Sequence, residues 1–165
     1  MKNYYEVTVK YIKMDENGRE KKVTESYLLD AVSFTEAEAR IYKELQQMIS
    51  GEFSVRKIAI TNYSEILPTN MQDVIGDRWF KGKVAFIIVD EETGKEKKNI
   101  QTVLCFADTV MQADIYIKSA MSGMMCDFEI TSISETKIVD VFPYVEEPIK
   151  SGFTLAESII PSTIN

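Results

Sequence analysis

The side chains whose types and spacing suggest chemistry in this 165-residue chain are aromatic and basic. Tyr4-Tyr5 and Trp79-Phe80 are two aromatic pairs 75 residues apart. Neighbouring residues of a strand point to opposite faces, so one ring of each pair belongs in a core and the other is available to a planar ligand or a partner. Arg40, Tyr42 and Tyr116 fall in helical stretches, where an outward guanidinium would pair bidentately with phosphate. Trp79, Tyr4, Arg40, Tyr42 and Tyr116 therefore form the candidate ligand-binding set. A second, anion-binding set is Arg19, Lys21 and Lys22 with Lys95, Lys97 and Lys98, near Lys10, Lys81 and Lys83. Two such turns side by side would make a positive edge on an acidic body. Both sets also have a plainer reading, as core aromatics and as lysines that keep edge strands from aggregating.

Bond-making chemistry finds few tools. The chain has no histidine, which removes Ser-His-Asp and Cys-His catalysis and nearly all catalytic zinc sites. No Walker loop and no G-x-G-x-x-G occurs; the glycines stand singly at turns and helix ends. Acids gather at turns (Asp15, Glu16; Asp90, Glu91, Glu92), which lack the length and glycine placement of a calcium loop. Cys105 and Cys126 are too few for a disulfide framework, and Cys126, after Met124-Met125 at a helix end, reads as core packing. The methionines grouped at Met121, Met124 and Met125 suit core filling or an adaptable binding surface. The expectation is a protein without enzymatic activity, cofactor or metal.

The elements that must position these residues are written twice. Tyr4-Tyr5 falls on Trp79-Phe80, Val9 on Val84, Tyr11 on Phe86, and Gly18-Arg-Glu-Lys-Lys on Gly94-Lys-Glu-Lys-Lys. Phe53, Val55, Ile58 and Thr61 fall on Phe128, Ile130, Ile133 and Thr136 at a constant spacing of 75, whereas the helices overlay as Ala39-x-Ile41-Tyr42 on Ala113-x-Ile115-Tyr116 at 74. This reads as a tandem duplication. Each unit opens with two alternating strands around a glycine turn (4–14 and 23–31; 79–89 and 99–107), the signature of a hairpin. Ser33-Phe-Thr-Glu36 has the spacing of a capping box and predicts a helix burying Ala37, Ile41, Leu45, Met48 and Ile49. The second helix, about 109–122, is expected to take Asp108 as its N-cap and to bury Val110, Ala113, Ile117, Ala120, Met121 and Met124. Residues 53–67 read as one long strand or as two broken near Thr61-Asn62, and 127–142 as one strand. The predicted fold is α+β: two β-β-α-β units, 4–68 and 79–143, with a linker at 69–78, a pseudo-twofold, and one helix per unit packed on a face of one shared antiparallel sheet or of two. The continuous apolar run Val84–Val89 implies cover on both faces, by a shared sheet or by another subunit. Residues 144–165 read as an apolar arm that packs on the body or on a neighbour.

Composition bounds the rest. The fractions of hydrophobic (45%) and charged (27%) residues are those of an ordinary globular protein. A formal charge of -7 argues against nucleic acid as the default partner, which needs clustered Lys or Arg. No run approaches the ~20 apolar residues of a membrane span, and strand-like alternation from the first residues leaves no room for a signal peptide, so a cytoplasmic location is expected.

The run Trp79-Phe-Lys-x-Lys, Gly94-Lys-Glu-Lys-Lys and Ser134-Glu-Thr-Lys-Ile-Val-Asp-Val-Phe-Pro-Tyr144, with Ser33-Phe-Thr-Glu-Ala-Glu-Ala-Arg40 and Ser50-Gly-Glu-Phe53, resembles an uncharacterised domain family of Bacteroidetes and their phages. The resemblance covers residues 4–144. It implies a bacterial, prophage or phage context and carries no functional residue with it. With the candidate residues it gives the leading expectation: a non-enzymatic, self-associating binding protein of phage origin that sequesters a host small molecule such as a defence signalling nucleotide. The alternatives are a nucleic-acid accessory protein using the lysine-rich hairpins, and a protein–protein adaptor or virion component using Val84–Val89 or the arm.

Overall fold

The computed structural model describes residues 3–69, 74 and 76–142. Ten elements follow in order: β1 (Asn3–Met14), β2 (Glu20–Ala31), α1 (Phe34–Gln46), β3 (Phe53–Ile60), β4 (Tyr63–Leu67), β5 (Arg78–Val89), β6 (Glu96–Ala107), α2 (Val110–Met121), β7 (Asp127–Glu135) and β8 (Ile138–Phe142). Half of the linker expected at 69–78 lies outside the described residues, and the arm expected from 144 lies wholly outside them. Among the described residues no helix is long and apolar enough to cross a membrane.

Local chemistry sets the elements. At the first hairpin, Asp15 Oδ1 accepts from the backbone of Asn17 (2.9 Å) and Arg19 (2.8 Å), and Gly18 takes a positive φ of 76°. Asp90 and Gly94 (φ 70°) repeat this at the second hairpin. Positive φ is free of Cβ strain only for glycine, which is why each turn has one at that place. Ser33 caps α1 by accepting from Glu36 N at 3.1 Å. Thr109, not Asp108, caps α2, accepting from Gln112 N at 3.1 Å. Asp108 is itself one residue too early to reach that amide.

The fold is α+β, with two four-stranded sheets ordered β3-β1-β2-β8 and β4-β6-β5-β7. Each sheet is antiparallel except at one edge, where β8 pairs in parallel with β2 and β4 with β6. The β-β-α-β unit is thus corrected to β-β-α-β-β, and the fourth strand of each half crosses to the sheet of the other. Residues 53–67 and 127–142 both break, the second where one strand was expected. Threonine makes both breaks: Thr61 N and Oγ1 donate to Tyr4 O (2.9 and 2.7 Å), and Thr136 N and Oγ1 donate to Trp79 O (2.9 and 2.8 Å). These bonds end the antiparallel ladder and turn the chain towards the other sheet.

Three apolar clusters result. Tyr5, Val7, Val9, Tyr27, Leu29 and Ala31 meet Ala37, Ile41 and Leu45 of α1. Phe80, Val84, Phe86, Val103, Cys105 and Ala107 meet Ala113, Ile117 and Met121 of α2. Between the sheets lie Leu28, Trp79, Leu104 and Ile138, with Tyr4, Tyr63, Ile66, Phe106 and Val141 at their margin. The layers therefore run helix, sheet, sheet, helix. The helix overlay shifts accordingly: Ala37, Ile41 and Leu45 take the places that Ala113, Ile117 and Met121 take in the second half, a spacing of 76. Met48, Val110, Ala120 and Met124 are exposed, contrary to expectation: Met48 and Met124 lie beyond the helix ends, Val110 is the first residue of α2, and Ala120 lies off the stripe that faces the sheet. In the apolar run, Val84, Ala85 and Phe86 are buried, whereas Ile88 and Val89 are exposed beyond the helix.

Candidate functional site

The five candidate ligand contacts do not converge. Trp79 is buried between the sheets, its ring 4.8 Å from Phe106, and Tyr4 borders the same cluster. Burial, with Asp30 and Glu65 nearby, holds the Tyr4 hydroxyl above the ordinary tyrosine range. Arg40 binds Asp30 through its carbonyl and its carboxylate (3.0 Å to Oδ1), and donates to Phe142 O at 3.4 Å. It therefore clasps α1 to β2 and β8. Tyr42 lies over Phe53 with ring centroids 5.1 Å apart, and Tyr116 is half-buried against the α2 core, in the opposite outer layer. The place that Arg40 has in α1 is taken in α2 by Tyr116.

A carboxylate shared by two tyrosines lies on the helix side of the first sheet. Glu25 Oε1 accepts from Tyr11 Oη (2.6 Å) and Tyr27 Oη (2.9 Å), and Phe142 stacks on Tyr27 at 5.5 Å. Burial and this acceptor push Tyr11 up to about 12 and raise Tyr27 further. At the crossing between sheets, a 440 Å³ cleft is lined by Glu6, Ala59–Tyr63 and Lys81. Burial, with Glu6 facing it, pushes Tyr63 up to about 12. Cys105 is buried and pushed up to about 12, which keeps it a thiol at neutral pH. Among the described residues, no three of His, Cys, Asp and Glu are gathered so as to hold a metal.

The basic hairpins belong to different sheets. Arg19, Lys21, Lys22, Lys95, Lys97 and Lys98 are all exposed. A groove of about 320 Å³ opens where β1, β2 and β3 leave the inter-sheet cluster, lined by Lys10, Tyr11, Ile12, Lys22, Glu52, Phe53, Ser54 and Arg56. Arg56 stands at a bulge, since Thr8 pairs with Lys57 and Val9 with Val55. Of this group the sequence offered Lys22 as a candidate, with Lys10 near it. The signal for the rest was the mismatch between the two halves: Lys10, Ser54 and Arg56 correspond to Ala85, Glu129 and Thr131. In the second half Lys98, the counterpart of Lys22, lies 3.6 Å from Glu129.

A further surface is the outer side of α2. Val110 is 51%, Met111 75% and Ile115 51% exposed, whereas α1 has Thr35 and Ala39 at the counterparts of Met111 and Ile115. Beside it, Thr109, Val110, Met111 and Asp114 face Ile130–Ile133 of the edge strand β7 across about 680 Å³.

The chain belongs to the family described as a domain of unknown function (DUF4494), whose model matches residues 3–144. No curated protein and no solved structure matches it.

Proposed function

We propose that the protein acts by binding, not by chemistry, and that it sequesters a small molecule; a signalling nucleotide fits this reading. Its two halves descend from one duplicated unit and are related by a pseudo-twofold. The observation that carries the reading is how matched positions have diverged. Buried pairs keep their character: Val9 and Val84, Leu28 and Leu104, Ala31 and Ala107, Ile41 and Ile117. Some exposed pairs do not: Ser54 and Arg56 match Glu129 and Thr131, and Thr35 and Ala39 match Met111 and Ile115, whereas the first hairpin turn, 18–22, keeps its character at 94–98. A frame kept constant while its surfaces change is suited to recognition, where a rigid scaffold limits the ordering cost of binding.

Native mass spectrometry of freshly purified protein, followed by denaturing mass analysis, tests this. A discrete extra mass that leaves intact on denaturation is expected. Absence of any retained mass, with no shift in melting temperature across a panel of nucleotides and other anionic metabolites, refutes it. Conversion of a bound compound under turnover conditions refutes the non-enzymatic part.

The apolar outer face of α2 favours a second reading, a protein–protein adaptor. Here Met111→Glu with Ile115→Lys would abolish association measured by sedimentation without lowering the melting temperature. Unchanged association rejects that reading.

A further inference from the structure

We propose that the groove at the open end of β1, β2 and β3 binds an oligophosphate anion of nucleotide size through Lys10, Lys22 and Arg56. This rests on the binding reading above and gives it a site and a ligand class. Lys10 pairs in register with Thr24 and Ser54, and Lys22 pairs with Ile12. Lys10 and Lys22 are therefore diagonal neighbours on one face, about 7–8 Å apart, a separation that adjacent phosphates can bridge. Arg56, the extra residue of the β3 bulge, is re-aimed from the ladder to the same groove. Ser54 adds a hydroxyl donor and Ile12 supplies apolar wall on the same face, while Tyr11 and Phe53 border the groove from the α1 side of the sheet. A volume of about 320 Å³ is in the range of small-molecule sites.

Three observations favour an anion over a solvated basic face. First, two of the three cations, Lys10 and Lys22, adjoin diagonally on neighbouring strands, and none of the three is in an ion pair among the described residues, whereas Lys98, the counterpart of Lys22, has a carboxylate within 4.0 Å. Like charges on adjoining strands repel, and an anion among them removes that repulsion. Second, lysine as protection for a sheet edge explains nothing at Lys10, because β1 is an inner strand flanked by β2 and β3. Third, the second half carries the control. There Ala85 and Thr131 replace two of the cations, and Glu129 replaces Ser54 and neutralises Lys98. One half is set for an anion, and its counterpart is not. Glu52 at the rim opposes the ligand's charge and limits affinity.

Calorimetric titration of the full chain with adenosine diphosphate, guanosine triphosphate and inorganic triphosphate is the test. One site per chain is expected. Lys10→Met, which keeps the apolar stem, and Arg56→Ala should each weaken binding about tenfold through loss of a charge-assisted bond. Glu52→Gln should tighten it, and Lys97→Ala should leave it unchanged. Circular-dichroism melts of each variant separate loss of the site from loss of the fold. Wild-type affinity in Lys10→Met/Lys22→Ala/Arg56→Ala overturns the site, and silence with all three probes overturns the ligand class. Either result leaves the binding reading standing if native spectra still show a retained molecule. A single-stranded oligonucleotide bound more tightly than every nucleotide, with steep salt dependence, also overturns the proposal, in favour of a strand binder.

Discussion

Ile41→Ala tests whether the exchange of β4 and β8 makes the two halves one cooperative unit. Ile41 is fully buried in the α1 cluster, and Trp79, the sole tryptophan, lies in the inter-sheet cluster and belongs to the other half. The substitution removes three carbons, worth roughly 2.4 kcal/mol at about 0.8 kcal/mol per buried methylene. The cavity adds to this, giving about 3–4 kcal/mol within the usual range for such truncations. For a urea slope of about 2 kcal/mol per molar, the midpoint should fall by about 1.5–2 M. The assay follows unfolding by far-ultraviolet circular dichroism and by Trp79 fluorescence in parallel. Because β8 is hydrogen-bonded to β2 and β4 to β6, neither sheet survives alone, and both signals should shift together with an unchanged slope. A fluorescence midpoint that stays put while the dichroism becomes biphasic would show that the halves unfold separately and refute the coupling.

Three other perturbations have defined outcomes. In Gly82→Ala the new Cβ would lie 2.6 Å from Ile117 Cδ1 and 3.3 Å from Val103 Cγ2; the overpacking should cost about 1–3 kcal/mol, read by thermal melting. Thr136→Val keeps the shape but removes both hydroxyl bonds, the one donated to Trp79 O and the one accepted from Ile138 N, so urea titration should show a loss of about 1–2 kcal/mol, and Thr136→Ser should restore most of it. Stability against pH should be level up to about pH 9, the ordinary thiol value, and then fall. Cys105, Tyr11 and Tyr63 all have folded-state values raised to about 12, so the unfolded chain loses those protons first and is favoured as pH rises towards 12. Cys105→Ala should delay the onset of that decline to near pH 10, the ordinary tyrosine value, in urea titrations at stepped pH.

Local chemistry was legible along the chain. Asp15-Glu-Asn-Gly18 and its counterpart at Asp90–Gly94 have one workable conformation, and Ser33-Phe-Thr-Glu36 has one place to start a helix. The α+β class, both hairpins, both helices and the repeated order of elements follow from such rules, because turns, caps and alternation depend on residues a few positions apart. The strand exchange does not. The sequence marks a break at Thr61-Asn62, but which sheet accepts β4 depends on Thr102–Cys105, and β8 on Ser26–Leu29, partners far along the chain. Tertiary packing also decided which aromatics were available. Tyr4, Trp79 and Arg40 have the residue types of a ligand site, yet the first sheet covers Trp79, and Asp30 and Phe142 engage Arg40. Conversely, Lys10 and Arg56 lie 46 residues apart and join Lys22 only because β1 runs between β2 and β3 with a bulge at Arg56. Periodicity specifies which face a residue takes; only the stacking of sheets and the position of a strand within its sheet determine whether that face is covered.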